Sequence, residues 1–116
     1  MKVSIIVPVY NSAPMLNELV QRIEATMSNM YLNSDYELLL INDASKDDSW
    51  ETIVKLIKKF SFIKGINLSE NFGQHNAIMA GLNKCIGKYI ITIDDDLQHP
   101  PEFFSDILNE LKTKDV

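Results

Sequence analysis

Three consecutive carboxylates, Asp94, Asp95 and Asp96, close an apolar run, and Gln98 follows two residues on. An ordinary turn at such a place would use Gly or Asn, which tolerate positive φ. Adjacent acids instead repel one another, by up to about 4 kcal/mol per pair at about 4 Å and an effective dielectric near 20. A cation beside them would offset that repulsion. Hard oxygen ligands of this kind suit Mg²⁺ or Mn²⁺, which take one or two carboxylates and complete their shell with substrate phosphates. In an extended backbone, positions i and i+2 share a face, which directs Asp94, Asp96 and Gln98 one way and Asp95 the other. The plainer reading is a solvated acidic loop. The strand before the acids and the Pro100-Pro101 pair after them favour the metal.

The elements that must position these acids alternate along the chain. Tyr89 to Ile93 reads as a strand buried on both faces, and proline is favoured in the first turn of the helix that follows. A first strand spans Val3 to Tyr10, with Pro8 telling against a hydrogen-bonded position near its end. Ser12 is placed to cap a helix whose stripe is Met15, Leu16, Leu19, Val20, Ile23, Met27 and Met30. Glu37 to Ile41 is a second strand, and Asp47 or Asp48 caps a helix carrying Trp50, Ile53, Val54, Ile57 and Phe60 inward. Ile63 to Leu68 is a third strand, which Gly65 should weaken. The next helix runs from about Gln74 to Cys85, with Ala77, Ile78, Ala80, Gly81 and Leu82 letting it lie close to a sheet. Phe103, Phe104, Ile107, Leu108 and Leu111 form a last amphipathic stripe.

This pattern predicts right-handed βαβ units on a mostly parallel sheet with helices on both faces, an α/β fold of Rossmann type. Ligands bind such sheets outside the carboxyl ends of the strands, at a topological switch point. Tyr10, Asn11, Asp43, Asn71 and the acids from Asp94 onward all fall at carboxyl ends.

Composition narrows the function. The 116 residues are 46% hydrophobic and 23% charged, which suits one small domain with a real core. A net charge of −5 and a pI near 4.9 argue against nucleic acid or an anionic membrane surface as partner. Cys85 is the only cysteine in the sequence, so no internal disulfide is expected and a reducing, cytoplasmic compartment is the default. The run SIIVPVY is short and contains Pro8, unlike a signal peptide. No apolar segment approaches the length of a spanning helix. The chain stops where a next strand would begin, and it reads as the front part of a longer protein.

A nucleotide is the natural ligand for that sheet edge, yet GxGxxG and GxxxxGK[ST] are both missing. A metal on the acidic cluster would handle phosphates instead. Asp43, an acceptor-only carboxylate, would take the ring N–H of uracil or guanine. Read alone, it is as well an N-cap or Asx-turn residue. His75 and His99 lack metal-ligand spacing and read as ordinary polar residues; Cys85 and Trp50 read as core.

The segments VSIIVPVYN, INDAS, NFGQHNAIMAGL and IITIDDDLQHPPE resemble the family 2 glycosyltransferases of GT-A fold. More narrowly, they resemble the branch that moves a sugar from a nucleotide onto a polyprenyl phosphate, as dolichyl-phosphate mannose synthases and their bacterial relatives do. The resemblance covers nearly the whole chain. It implies inverting transfer from a UDP- or GDP-sugar, with Mn²⁺ or Mg²⁺ at the acidic motif. By match, Asp94, Asp96 and Gln98 take the metal role, and Asp94 and Asp95 border the donor. Asp43 recognises the base, Pro8, Tyr10 and Asn11 line base and ribose, and Asn71 and Gly73 lie near the donor. Three positions depart from the family pattern: Asp95 stands where a small residue is usual, Asn42 and Ala44 replace the first Asp and the Gly of DDGS, and Glu70 replaces a basic residue.

The acceptor site, the catalytic base and any membrane contact, at the cytoplasmic face, would then lie beyond Val116, and this piece alone would transfer nothing. A saccharide acceptor, as in cell-envelope glycan synthesis, is the alternative within the same chemistry. A Mg²⁺-binding receiver-like module is the alternative of another class, and Tyr10-Asn11 after the first strand, where receivers place paired acids, argues against it.

Overall fold

A computed structural model of the chain describes residues 3–29, 35–71 and 73–95. Strands and helices alternate strictly: β1 (Val3–Val9), α1 (Ala13–Asn29), β2 (Tyr36–Asp43), α2 (Ser49–Lys59), β3 (Ile63–Leu68), α3 (Gln74–Lys84) and β4 (Tyr89–Thr92). The four strands are parallel, in the order β3-β2-β1-β4. The chain steps outward from β1 to β3, and α3 then carries it back across the sheet to β4. Right-handed crossovers therefore put α1 and α2 on one face and α3 on the other. That is the expected α/β sheet with helices on both faces. The reversal beside β1 is a switch point, so the crevice between β1 and β4 is where such a sheet takes a ligand.

Two apolar clusters hold the layers. Val3, Ile5, Val7 and Val9 of β1 pack with Leu38 and Leu40 against Leu16, Leu19, Val20, Ile23 and Met27 of α1 and Ile53 and Leu56 of α2. On the other face Ile6, Leu39 and Ile41 meet Ala77 of α3, with Cys85 half-buried beside them. Every residue of β1 and β2 is buried. A Cβ at Gly81 would stand 2.7 Å from Ile6 Cγ2 and 3.0 Å from Ile41 Cδ1, so only glycine lets α3 approach this closely.

Several expectations are corrected. β4 is not buried on both faces: Tyr89 and Ile91 pack on the larger core, but Ile90 is 45% exposed, because α3 covers β1, β2 and β3 instead. β1 stops at Val9, one residue short of the expected end, while β2 runs from Tyr36 to Asp43 and takes Asp43 into the ladder opposite Leu68. Gly65 leaves β3 unbroken, paired with Leu40. Met15 and Leu82 face solvent, and Leu56 turns inward in α2. The α3 helix ends at Lys84 rather than Cys85. Met30 and the stripe from Phe103 to Leu111 lie outside the described residues.

Pro8 behaves as its missing N–H requires. Ile6 turns its carbonyl to β4, where Ile93 N–H donates to it at 3.1 Å. Pro8, two residues on, shares that direction. The β1–β4 ladder has already ended at Ile6–Thr92, so no donor is lost there, while Val9 still pairs with Asn42 on the other side.

A buried acid pins the opposite end of the sheet. Glu37 accepts from Ser4 Oγ at 2.5 Å and Ile86 N–H at 2.7 Å, and Lys64 Nζ lies 2.6 Å from its other oxygen. Gly87 N–H donates to Ser4 Oγ at 2.7 Å, which ties the α3–β4 connection into the same group. Burial pushes the Glu37 pKa up, but the hydrogen bonds from Lys64, Ser4 and Ile86 and the charge of Lys64 outweigh it and hold the carboxyl below its ordinary value. A folded-state pKa below the unfolded one gives stability that is fully present above the ordinary glutamate range. That stability is lost as pH falls through the lowered value. Glu37→Gln should therefore lower stability at neutral pH and flatten the acid limb of the profile, as denaturant titrations across pH would record.

Candidate functional site at the switch point

A cavity of about 410 Å³ opens at the carboxyl ends of the strands. The end of β1 supplies Pro8, Val9 and Tyr10; β2 supplies Asp43; the turn into α3 supplies Asn71, Gly73 and Gln74; and the end of β4 supplies Asp94 and Asp95. Seven residues singled out from the sequence thus share one wall. Asn11 does not line the cavity, since its Oδ1 accepts Lys46 N–H at 2.8 Å. Asp96, Gln98 and His99 lie outside the described residues.

Each acid is anchored in its own way. Asp43 is 4% exposed, and its Oδ2 accepts Gly73 N–H at 3.1 Å. Asn71 Oδ1 accepts the same N–H at 3.0 Å, which holds Gly73 at φ 95°, open to glycine without strain. Asp94 Oδ1 accepts Gln74 Nε2 at 3.0 Å. Asp95 Oδ2 accepts Tyr10 N–H at 2.9 Å and, by a short bond, the Ser12 hydroxyl. Asp95 is therefore offset by backbone and hydroxyl donors near the start of α1, where a helix also favours negative charge. Among the described residues, three carboxylates and no Lys or Arg line the cavity.

The loops behind the wall are interlocked. Ser12 does not cap α1 with its hydroxyl, which points to Asp95 and the Tyr10 carbonyl. Asp47 serves both helices: its Oδ1 accepts Ser49 N–H at 2.9 Å and its Oδ2 accepts Ala13 N–H at 3.2 Å. Burial pushes its pKa up, and the bonds from Ser49 and Ala13 hold it lower. Asp48, at the α2 cap position, makes no side-chain cap bond. Two lining residues were not expected from the sequence, Val9 and, more tellingly for its side chain, Gln74. Its signal was its place as the first residue of a helix that starts at the ligand edge.

Asn42 and Ala44 also find their places. Asn42 Nδ2 donates across the ladder to Asn67 Oδ1 at 2.8 Å. Ala44 sits at φ 56°, a left-handed conformation that costs a Cβ-bearing residue about 1–2 kcal/mol. Ala44→Gly should raise stability by about 0.5–1 kcal/mol, the relief being partly offset by the glycine's greater freedom when unfolded. The midpoint of a urea titration reads this directly.

Residues 4–116 match the model of the family described as Glycosyl transferase family 2. The undecaprenyl-phosphate 4-deoxy-4-formamido-L-arabinose transferase of Pseudomonas savastanoi pv. phaseolicola is 45% identical over 101 residues, covering 86% of this chain and 29% of that protein. The enzyme of the same name from an Enterobacter species is 44% identical over 102 residues, covering 87% and 31%. The chain therefore spans about 30% of the length of the curated relatives it matches. Among solved structures, S. aureus TarS 1-349 in complex with UDP-GlcNAc superposes with a TM-score of 0.78 at 24% identity, over 97% of this chain and 32% of that one. The mannosyltransferase PcManGT from Pyrobaculum calidifontis, in complex with GDP-Man and Mn²⁺, gives 0.74 at 23% identity, over 82% and 27%. At that identity the likeness speaks for the fold; the family match and the curated relatives decide membership. The chain belongs to glycosyl transferase family 2.

Proposed function

We propose that this chain is the donor-binding part of a glycosyltransferase that moves a sugar from a UDP- or GDP-sugar to a polyprenyl phosphate, with inversion and with a divalent metal. The observation that carries the reading is the switch-point cavity, walled by Asp43 at the end of β2 and by Asp94 and Asp95 after β4, with no Lys or Arg among the described residues that line it. A diphosphate would be repelled there without a cation. The named acceptor of the curated relatives, undecaprenyl phosphate, supports the lipid side. The UDP-GlcNAc and the GDP-Man with Mn²⁺ of the solved neighbours support the donor and the metal.

The residues present fit a hard cation. Asp94 brings an oxygen donor to the cavity wall, and among the described residues no group of three or more His, Cys, Asp or Glu forms a closed metal cage. Mg²⁺ needs no such cage, since one or two carboxylates and substrate phosphates suffice. Asp94 would hold the ion, with Asp96 and Gln98 as its further ligands. When bound, the ion supplies positive charge to the leaving diphosphate. Asp43 accepts the ring N–H of uracil or guanine, Pro8 and Tyr10 line the nucleoside, and Asn71 and Gly73 shape the turn beside it.

In the transfer, an acceptor oxygen bonds to the anomeric carbon as the bond from that carbon to the diphosphate breaks, and the nucleoside diphosphate leaves. A phosphate monoester attacks as an anion and needs no base to remove a proton; a saccharide hydroxyl does. Reaction requires the partners to be held within about 3–3.5 Å. No helix among the described residues is long and apolar enough to cross a membrane, and contact with a lipid acceptor is assigned to parts of the protein outside them. The test is transfer by the full-length protein from labelled UDP- and GDP-sugars to undecaprenyl phosphate or to a soluble glycan. Lipid-linked product is expected. Glycan product alone would replace the acceptor, and no product from any donor would remove the reading.

A further inference from the structure

We infer that Asp95 is a positioning residue, one that fixes the nucleoside wall of the cavity and does not itself ligate the metal. The inference rests on the donor-site reading above. Both bonds that Asp95 accepts go to a single oxygen, Oδ2: one from Tyr10 N–H at 2.9 Å, one from the Ser12 hydroxyl. They cross the switch-point crevice, joining the loop after β4 to the turn after β1. Ser12 is buried, and its own N–H donates to Ser49 Oγ at 2.9 Å. Ser49 N–H is held by Asp47, which also takes Ala13 N–H. The Tyr10–Ser12 turn is thus gripped by the β2–α2 loop on one side and by Asp95 on the other.

That grip has a consequence for ligand binding. Tyr10 is 45% exposed and stands on the cavity wall, so its backbone position sets where a nucleoside can lie. Asp94, next in sequence to the clamp, is placed by the same bonds at the phosphate end. Releasing Asp95 would let the two walls move apart, and the cost would appear in nucleotide affinity. Both lone-pair sites of Oδ2 are taken by these two bonds, so a cation could reach this carboxylate only through Oδ1. Because one oxygen receives both donors, the carbonyl oxygen of an asparagine reproduces the clamp without the charge. That is the distinguishing property, since an asparagine is a much weaker metal ligand than a carboxylate.

The experiment compares Asp95→Ala and Asp95→Asn with the wild type in the full-length protein. Amide exchange at Tyr10 is measured without metal or nucleotide, and the affinities for Mn²⁺ and for UDP and GDP with Mn²⁺ are measured by calorimetry. Asp95→Ala should speed Tyr10 exchange and weaken nucleotide binding, each by about tenfold, as for loss of a hydrogen bond to a charged group. Asp95→Asn should restore most of both, and Mn²⁺ affinity should stay close to wild type in the two variants. With Ser12→Ala added, Asp95→Ala should worsen little, because both changes break one group of bonds. Unchanged Tyr10 exchange in Asp95→Ala overturns the clamp, whether or not nucleotide binds. Faster exchange with unchanged nucleotide affinity reduces Asp95 to a structural acid and overturns its positioning role. Loss of Mn²⁺ affinity in Asp95→Asn makes it a ligand and overturns the inference likewise. A wild type that binds neither nucleotide overturns the donor-site reading itself, a different result from any of these.

Discussion

Asp94→Ala should abolish the stabilisation that Mn²⁺ with UDP or GDP gives the protein, which for the wild type is about 2.7 kcal/mol at a hundredfold excess over the dissociation constant. Asp94, the acid proposed to hold the ion, takes its bond from a side chain, Gln74, and not from a backbone clamp. An amide side chain yields to a cation more readily than the Tyr10–Ser12 turn would. Without metal, the neighbouring carboxylates of Asp94 and Asp95 repel one another on a cavity wall where, among the described residues, no Lys or Arg stands. Alanine at Asp94 relieves that repulsion, so the metal-free melting point should hold or rise, by roughly 0.5–1 kcal/mol after solvent screening. A structural acid would do the reverse, lowering the metal-free melting point because a hydrogen bond is lost. Melting curves with and without Mn²⁺ and nucleotide decide between them. A destabilised variant that still responds to ligand would take Asp94 out of the site.

Asp43→Ala should weaken nucleotide binding by about 1.5–3 kcal/mol, the range for hydrogen bonds to a charged group, and leave the metal requirement intact. The carboxylate is buried at the end of β2, and its Oδ2 also holds Gly73 N–H at the entrance to α3. On the proposed reading alanine removes a base acceptor together with the Gly73 brace. Asp43→Asn separates the two roles: its carbonyl oxygen can still hold Gly73, while its amide offers N–H where the base also offers N–H. Asparagine should therefore lose affinity with little change in melting temperature. If both variants moved thermal stability and left affinity alone, Asp43 would be a brace only.

What the sequence made legible follows from how local each signal is. Strand and helix types were readable because Ile5 to Val7, Leu38 to Ile41 and the α1 stripe repeat at short spacing. The convergence of Tyr10, Asp43, Asn71 and Asp94 on one edge was readable because parallel strands place their carboxyl ends together. The details of the wall were not. The Tyr10–Asp95 bond joins residues 85 positions apart, and no local pattern announces it. Asn11 sits one residue from a lining position, yet its positive φ turns the side chain to Lys46. The partial exposure of β4 depends on which strands α3 crosses, a fact of strand order and not of the YIIT run itself. Glu37, at the head of an apolar strand, gave no hint of its three partners, because they come from β1, β3 and the connection before β4.

The proposed donor site binds a nucleoside diphosphate through a divalent cation. Calorimetric titration of the full-length protein with UDP and with GDP, in Mn²⁺ and again in EDTA, tests it most directly. Binding of one nucleotide in Mn²⁺ and loss of that binding in EDTA is the result expected from three carboxylates on a wall with no Lys or Arg among its described residues. Equal affinity in EDTA, or no binding of either nucleotide in Mn²⁺, would contradict it.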